Sequence, residues 1–199
     1  MRPRVFVTGM GIISAIGNGT EETLQSFRHL QSGITRLTLF PSERSNIPVA
    51  QIRYSNEELV AMAPKEGSDK TISRNTLLAL IAAQQAVLSS GWKNALEKET
   101  GAVFATTVGG MDLNEQHYLS LLQNDSYKDF INSYDSADCG ERVAGYLGIR
   151  RNITTISTAC SSSANAILLG TRLIQSRKLQ RVVAGGTDAL TRFTLNGFH

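Results

Sequence analysis

The sequence predicts an α/β fold with a mostly parallel sheet that carries helices on both faces. Short runs rich in β-branched residues, each ended by glycine or small polar residues, alternate with longer apolar segments of helical periodicity. Alternating strands and helices favour parallel pairing, because a helical crossover returns the chain to the same end of the sheet. With 199 residues, the chain is long enough for one domain with a substantial core.

The predicted strands are each followed by a turn signal. They cover residues 4–10, 101–107, 153–158 and 181–184, and a short additional strand is expected near residues 49–52. We interpret the glycine pairs after the second and fourth strands as tight turns rather than ligand loops. These pairs are Gly109-Gly110 and Gly185-Gly186.

The helices predicted between these strands cover residues 20–30, 68–90, 112–123, 136–147 and 160–176. Thr20 suits the N-cap of the first helix, and Gly91 suits the end of the longest one. The last helix is apolar nearly all round until Arg172. Helices of that kind are buried on all sides, so we expect this one to lie at the centre of a sizeable protein.

Composition and charge argue against several classes of function. Hydrophobic residues make up 41% and charged residues 19%, which is typical of a soluble globular protein. The net charge of +3 comes from residues spread along the chain without a basic stripe, so nucleic-acid binding is disfavoured. We find no apolar run of membrane-spanning length and no signal peptide. Two cysteines without metal-ligand spacing favour a cytoplasmic setting over a disulfide framework.

The N-terminal glycines nearly form a dinucleotide-binding fingerprint. The segment Gly9-Met10-Gly11-Ile12-Ile13-Ser14 has serine where the last glycine belongs. The next helix also begins too late, near Glu21, to receive a pyrophosphate. Nucleotide binding is therefore disfavoured.

Cys160 is the strongest candidate for a nucleophile. It lies where a predicted strand runs directly into a helix. The first turn of a helix leaves backbone N–H groups free, and its positive end favours a thiolate, so we expect a lowered pKa for this thiol. The backbone N–H of Cys160 could also help to bind an oxyanion. Spacing alone leaves open the alternative that Cys160 is a small packing residue.

Four segments together resemble the β-ketoacyl-acyl-carrier-protein synthases, a family of condensing enzymes with a thiolase fold. The active-site motif of that family is similar to Ser157-Thr158-Ala159-Cys160-Ser161-Ser162-Ser163. Residues 5–17 resemble the family's N-terminal signature. Residues 106–110 resemble the glycine-rich turn beside its acyl pocket, and residues 183–189 resemble the strand after its active-site helix. The resemblance implies that residues 1–199 are a β-ketoacyl synthase N-terminal domain, the first half of a thiolase-like fold.

The resemblance also implies an activity. In this family a cysteine takes an acyl group from a carrier protein, a malonyl-carrier thioester loses CO2, and the resulting carbanion attacks the acyl-cysteine to give a 3-oxoacyl thioester. By position, Cys160 matches that cysteine, and Val108 matches a residue that lines the acyl pocket and limits chain length. No bound cofactor is implied, because acyl groups arrive on the phosphopantetheine arm of acyl carrier protein, the expected partner. The strand at residues 152–158 is expected to form a homodimer interface.

The chain departs from the family's pattern in its histidines and its length. The family uses a pair of histidines from its second half, and His29, His117 and His199 match neither of them. We therefore expect a truncated chain that lacks the C-terminal half and does not condense malonyl thioesters by itself. Residues 137–142 and 193–198 look more like synthases of aryl-polyene or flexirubin pigment clusters than like housekeeping fatty-acid enzymes.

Two alternatives stay open at this point. The chain could be a non-catalytic subunit or remnant that only dimerises, although chain-length-factor partners of these synthases usually lack the cysteine that is present here as Cys160. It could also be another acyltransferase of the thiolase superfamily, which would use coenzyme A in place of a carrier protein. The four segments disfavour this second alternative.

Overall fold

The computed structural model of the chain describes residues 3–64, 71–92, 99–123 and 125–198. Its strands are β1 (Ile13–Ser14), β2 (Gly17–Asn18), β3 (Thr35–Arg36), β4 (Pro48–Val49), β5 (Thr100–Ala105), β6 (Ile153–Ile156) and β7 (Arg181–Gly186). Its helices are α1 (Thr20–Arg28), α2 (Asn56–Met62), α3 (Arg74–Ser90), α4 (Met111–Leu121), α5 (Ser136–Tyr146), α6 (Ser162–Gln175) and α7 (Arg192–Gly197). A 3-10 segment covers Asp125–Tyr134.

A three-stranded parallel sheet forms the centre of the fold, with β5 between β6 and β7. Every residue of β5 is buried, as expected for a central parallel strand. The strands predicted at residues 101–107, 153–158 and 181–184 are therefore confirmed, together with their parallel pairing. Among the described residues, β6 and β7 each have one edge that pairs with no other strand.

Helices cover both faces of this sheet, because alternate side chains of β5 point to opposite sides. Val103 packs in a cluster with Ala166 of α6. Phe104 points the other way, into a cluster that contains Val143 of α5 and Leu80 of α3. The layers are therefore α6, the sheet, α5 and then α3, and the predicted α/β fold with helices on both faces is confirmed.

The first half of α3 lies inside the protein, and both ends of the helix are capped. Ser73 accepts a hydrogen bond from the backbone N–H of Thr76, and Gly91 ends the helix with a left-handed φ of 71°. Gly91 thus has the role that the sequence predicts. The helix begins at Arg74, later than the predicted start at residue 68, and residues 65–70 lie outside the described part of the chain.

The N-terminal segment, residues 3–12, does not form the predicted strand. It lies along α3, where the N–H of Met10 donates to Ser89 Oγ at 3.0 Å and the N–H of Ile12 donates to Gln85 Oε1 at 2.9 Å. These backbone groups are satisfied by helix side chains instead of a neighbouring strand. The prediction of a strand at residues 4–10 is therefore wrong for this chain.

Glycine allows this segment to approach the helix backbone. A Cβ atom built on Gly11 would lie 1.8 Å from the carbonyl oxygen of Ala82, and one on Gly9 would lie 2.1 Å from that of Ala86. Any side chain at these positions would push the segment away from α3. The glycines that resemble a dinucleotide fingerprint thus allow this segment to pack closely against α3.

Other differences from the predicted elements are local. Thr20 is the first residue of α1 and not its N-cap, which is Gly19. The strand expected near residues 49–52 is β4, which pairs with β3. Six short elements were missing from the predictions: β1, β2, β3, the 3-10 segment, α7, and α2 with its capping box between Ser55 and Glu58. Among the described residues, no helix is long and apolar enough to cross a membrane.

The helix after Cys160 is buried on one side only. Ser162, Ala166 and Gly170 face the sheet and are buried. Ile167 and Leu168 lie on the opposite face, where 55% and 45% of their surfaces are exposed. The prediction that this helix is surrounded by protein is therefore wrong within this chain. Its outer face is an apolar surface without a covering layer in the described structure.

We expect Gly11→Ala to destabilise the protein. The added methyl group would overlap the Ala82 carbonyl, so the free energy of unfolding should fall by about 1–3 kcal/mol, the usual range for overpacking. Thermal unfolding followed by circular dichroism measures this change. Gly145→Ala is the matched control, because a Cβ at that position in α5 meets nothing within 4 Å and alanine favours a helix. Equal melting temperatures for the two variants would contradict the packing described here.

Candidate active site

Three turns meet at one edge of the parallel sheet. They follow β5, β6 and β7 and comprise residues 106–110, 157–161 and 187–191. Parallel strands that pair directly end at the same edge, which is where α/β proteins usually build their sites. The sheet topology therefore brings together segments that are far apart in sequence, including the predicted site residues Cys160 and Val108.

Cys160 lies in a tightly bonded turn between β6 and α6. The preceding residue, Ala159, has a φ of 52°, a left-handed conformation that is rare and costly for a residue with a Cβ. Its carbonyl accepts hydrogen bonds from the backbone N–H of Ser162 at 3.0 Å and from Ser162 Oγ at 2.7 Å. Ser162 Oγ also accepts from the N–H of Thr158 at 2.8 Å. These bonds hold Cys160 at the tip of the turn, where it is exposed.

The backbone of this turn differs in one respect from the predicted one. α6 begins at Ser162, so Cys160 lies just before the N-cap residue, Ser161. The N–H groups of Ser161 and Ser162 donate to the carbonyls of Thr158 and Ala159. The prediction that the N–H groups after Cys160 are free is therefore wrong for these two residues. The lowered thiol pKa that the sequence predicts stays a prediction.

Val108 lies in the neighbouring turn and is half-buried. The hydroxyl of Thr107 donates to the carbonyl of Ala159 at 3.3 Å, which joins this turn to the one that holds Cys160. The two predicted site residues thus lie in turns that touch each other. The role of Val108 as a wall of an acyl pocket stays a prediction.

Asp188 joins the third turn to the other two. Its Oδ1 atom accepts hydrogen bonds from Thr106 Oγ1 at 2.7 Å, from the N–H of Thr107 at 2.7 Å and from the N–H of Val108 at 3.2 Å. Thr106 is buried and also accepts from Asn75 Nδ2 at 3.0 Å. Residues 106–110 resemble the family's glycine-rich turn, but neither the contacts of Thr106 and Thr107 with Asp188 nor the contribution of Asn75 follows from the sequence. For Thr106, Thr107 and Asp188, the position directly after a parallel strand was the available signal.

Glycine is needed where α6 approaches the sheet. A Cβ atom on Gly186 would lie 2.2 Å from Ser163 Oγ and 2.9 Å from the carbonyl oxygen of Ala105. The close contact places the start of α6, and with it the turn of Cys160, directly against the ends of β5 and β7.

The second cysteine is a core residue. Cys139 lies on α5 in the cluster between the sheet and α3, and both cysteines are free thiols. Burial raises the pKa of the Cys139 thiol to about 12, well above its ordinary value. This agrees with the structural role that the sequence suggests and leaves Cys160 as the reactive candidate.

The histidines lie in other parts of the fold. His29 is the residue at which α1 ends, and His117 lies on α4, where its ring stacks on Phe130 with 4.3 Å between the ring centroids. His199 lies outside the described residues. That these histidines are not catalytic stays a prediction.

An open cavity of about 620 Å³ borders the third turn through Leu190. Its lining includes Arg74, Asp112, Glu115 and Arg192, but neither Cys160 nor Val108. The buried Arg74 guanidinium donates to Asn56 Oδ1 and to the carbonyls of Ile52 and Tyr54. These hydrogen bonds fix the lining of the cavity around Arg74. Among the described residues, no cluster of three or more His, Cys, Asp or Glu side chains could hold a metal ion.

The sequence matches the family model described as beta-ketoacyl synthase, N-terminal domain, over residues 2–199. One curated relative, the 3-oxoacyl-[acyl-carrier-protein] synthase 2 of Vibrio harveyi, is 27% identical over 202 residues, which are 98% of this chain and 48% of that protein. The chain spans about half the length of the curated relatives it matches.

Solved structures share the fold. The ishigamide ketosynthase/chain length factor matches with a TM-score of 0.84 and 24% identity, over 100% of this chain and 50% of that one. A ketosynthase in complex with its chain length factor, from Xenorhabdus doucetiae, matches with a TM-score of 0.72 and 25% identity, over 97% of this chain and 49% of that one. The predicted fold class, the N-terminal half of a thiolase-like fold, is therefore confirmed.

We expect iodoacetamide to alkylate folded protein once, at Cys160. This thiol is exposed, whereas Cys139 is buried and its burial raises the pKa of its thiol to about 12. Intact mass and peptide mapping would show one adduct on native protein, two on unfolded protein and none on native Cys160→Ser. Modification of Cys139 at a comparable rate in native protein would contradict this assignment.

Because burial raises the pKa of the Cys139 thiol, we expect the protein to lose stability in alkaline solution. The pKa of Cys139 is raised in the folded state, so the unfolded state releases this proton at lower pH than the folded state does. The contribution of Cys139 to the free energy of unfolding is intact below the ordinary thiol pKa and falls as pH rises towards about 12. Urea denaturation across this range, with Cys139→Ala as the comparison, measures the effect. An equal pH dependence in both proteins would contradict it.

Proposed function

This chain belongs to the β-ketoacyl synthase family, and we propose that Cys160 is the nucleophile that carries the acyl group in a decarboxylative condensation. The observation that carries the proposal is the position of Cys160 in a strained turn between β6 and α6, in contact with the turn that holds Val108. The complete enzyme is proposed to be a 3-oxoacyl-[acyl-carrier-protein] synthase of fatty-acid, polyketide or polyene biosynthesis. A reducing cytoplasmic setting suits a free thiol nucleophile.

The proposed reaction begins with attack of the Cys160 thiolate on the carbonyl carbon of an acyl thioester. A C–S bond to Cys160 forms, and the carrier's thiolate leaves and takes up the proton that the cysteine has lost. The backbone N–H of Cys160 is proposed to stabilise the oxyanion. A malonyl thioester then loses CO2, and its α-carbon attacks the acyl carbonyl. The bond to Cys160 breaks, its thiolate is restored, and a 3-oxoacyl thioester is released.

Val108 is proposed to line the path of the acyl chain. Its turn touches the turn of Cys160, and its side chain is half-buried, so part of it is accessible to a ligand. An apolar wall next to the nucleophile favours an alkyl chain over water. The size of the residue at position 108 would then limit how long a chain the site accepts.

The condensation step is proposed to need groups that these 199 residues do not supply. His29 is the C-cap residue of α1 and His117 lies on α4, so neither belongs to the three turns of the site, and the family's decarboxylating histidines come from its second half. The exposed apolar face of α6 around Ile167 and Leu168 supports this view, because a covering layer would bury it. We therefore propose that residues 1–199 act as an N-terminal domain and do not condense malonyl thioesters alone.

Two partners are proposed. The first is acyl carrier protein, which appears in the name of the Vibrio harveyi relative. The second is another copy of this chain, bound through the strand at residues 152–158. Its outer edge is unpaired in the described structure, and an unpaired edge is a ready site for strand addition.

We expect the protein to form a covalent adduct with an acyl-carrier thioester. Intact mass should increase by the mass of the acyl group, and the increase should be absent in Cys160→Ala, because the acyl group is bound to Cys160 Sγ. Cys139→Ala is the control, since its buried thiol should not contribute and the adduct should persist.

Other outcomes of the same experiment separate the alternative functions. Acylation by acyl-coenzyme A but not by acyl-carrier thioester would favour the coenzyme A-dependent alternative. No acylation by either donor, in a protein with native circular dichroism, would contradict the nucleophile role and favour a non-catalytic dimerising subunit.

The proposed dimer is testable with proline, because the two edges of β6 use different residues. The carbonyl of Asn152 accepts from the N–H of Ala102 in β5, and the carbonyl of Ile156 accepts from the N–H of Thr106, directly after β5. Backbone groups of successive strand residues point to opposite edges, so those of Thr155 face outwards. Thr155→Pro removes an outward N–H and should convert the dimer to a monomer in size-exclusion chromatography with light scattering.

Thr154→Pro is the matched control for this experiment. Its N–H faces β5, so the substitution should lower the melting temperature by disrupting the sheet itself. The melting temperature of Thr155→Pro should be close to that of the unaltered protein when both are measured as monomers. A dimer that persists in Thr155→Pro at the same dissociation constant would contradict the proposed interface.

A further inference from the structure

We propose that Asp188 is a positioning residue that holds the acyl-pocket turn against the turn of the nucleophile. This inference rests on the proposed function of Cys160 and adds a residue to it. It follows from a continuous set of hydrogen bonds that runs from the end of β7, through the turn after β5, to the turn after β6. We call the members Asp188, Thr106, Thr107, Val108 and Ala159 the strand-end network.

The first link joins Asp188 to the turn after β5. A single carboxylate oxygen, Oδ1, accepts from one hydroxyl and from two consecutive backbone N–H groups, those of Thr107 and Val108. Hydrogen bonds to a charged acceptor are roughly twice as strong as neutral ones. The carboxylate therefore fixes the backbone at Val108, the residue proposed to line the acyl chain.

The second link joins this turn to the nucleophile. Thr107 donates its N–H to Asp188 and its hydroxyl to the carbonyl of Ala159, at 2.7 Å and 3.3 Å. Ala159 directly precedes Cys160 and has the left-handed φ of 52°. A strained conformation persists only where its surroundings hold it, and Thr107 is one of the groups that do so.

Buried contacts behind the network give it a fixed base. Thr106 Oγ1 donates to Asp188 and accepts from Asn75 Nδ2 and from the N–H of Gly109, at 3.0 Å and 3.1 Å. Asn75 and Thr106 are 0% and 2% exposed. Asp188 is itself exposed, so its position is set by these partners and not by burial. A change at Asp188 should therefore affect the site more than the core.

Amide hydrogen exchange followed by NMR tests the first link without any substrate. In Asp188→Ala, the Thr107 and Val108 amides should exchange at least about tenfold faster, the scale of one lost charge-assisted hydrogen bond. Asp188→Asn keeps an oxygen acceptor and should give intermediate rates. Glu58→Ala is the matched control: it removes a carboxylate that accepts the N–H of Ser55 at α2, outside the network. Unchanged exchange at Thr107 and Val108 in Asp188→Ala would overturn the proposal.

Acylation kinetics test the effect on the site. With a series of acyl-carrier thioesters, Asp188→Ala should acylate Cys160 roughly tenfold more slowly and lose its preference for one chain length. Asp188→Asn should recover much of the rate. Iodoacetamide, which is too small to need the acyl wall, should alkylate Cys160 at the unaltered rate. A merely destabilising substitution would instead slow all acyl lengths equally and would not be rescued by asparagine.

A double-mutant cycle tests whether the two links act in series. Thr107→Val removes the hydroxyl bond to Ala159 and keeps the backbone N–H that binds Asp188. If the network is continuous, Thr107→Val should slow acylation less in the Asp188→Ala background than alone. Independent, additive effects would overturn the serial arrangement.

The outcomes distinguish this inference from the proposed function. An unaltered protein that is not acylated at Cys160 contradicts the function, while amide exchange still decides whether Asp188 holds the turn. A protein that is acylated normally, with Asp188→Ala acylated at the same rate and with the same length preference, supports the function and overturns the inference.

Discussion

Parallel pairing of β5 with both of its neighbours is the constraint on which the site depends. Since β5, β6 and β7 run in the same direction, their carboxyl ends meet at one edge, and the turns that follow them come into contact. Cys160, Val108 and Asp188 each lie in one of these turns. Residues that are about 80 positions apart in sequence therefore share hydrogen bonds, as the Asp188 carboxylate and the Thr107 N–H do.

The helices on the two faces fix this edge from either side. On one face, Gly186 lets the start of α6 approach the sheet closely enough for Ser163 to lie against it. On the other face, the buried Asn75 of α3 donates to the buried Thr106 beneath the turn after β5. The strained φ of Ala159 is held between these layers, which explains how an exposed cysteine can have a defined position.

The sequence predicts the parts of this arrangement that depend on local pattern. The strands β5, β6 and β7, the position of Cys160 and the end of α3 at Gly91 follow from periodicity, glycine and capping. The path of residues 3–12 could not be predicted, because its β-rich composition suits a strand while its N–H groups bind Ser89 and Gln85 of a distant helix. The contacts of Asp188 could not be predicted for the same reason, since its hydrogen bonds to Thr106, Thr107 and Val108 join residues remote in sequence. The exposure of Ile167 on α6 likewise depends on what covers the helix, which periodicity does not specify.

The most direct test of the account is a crystal structure of the protein alkylated at Cys160 with N-octyl iodoacetamide. The reagent creates the covalent adduct by itself, so the path of the chain depends only on the geometry of the site. The account predicts that the octyl chain passes the Val108 side chain within about 4 Å, with Asp188 still bound to the N–H groups of Thr107 and Val108. An octyl chain that lies on the outer face of α6, beside Ile167 and away from Val108, would contradict it.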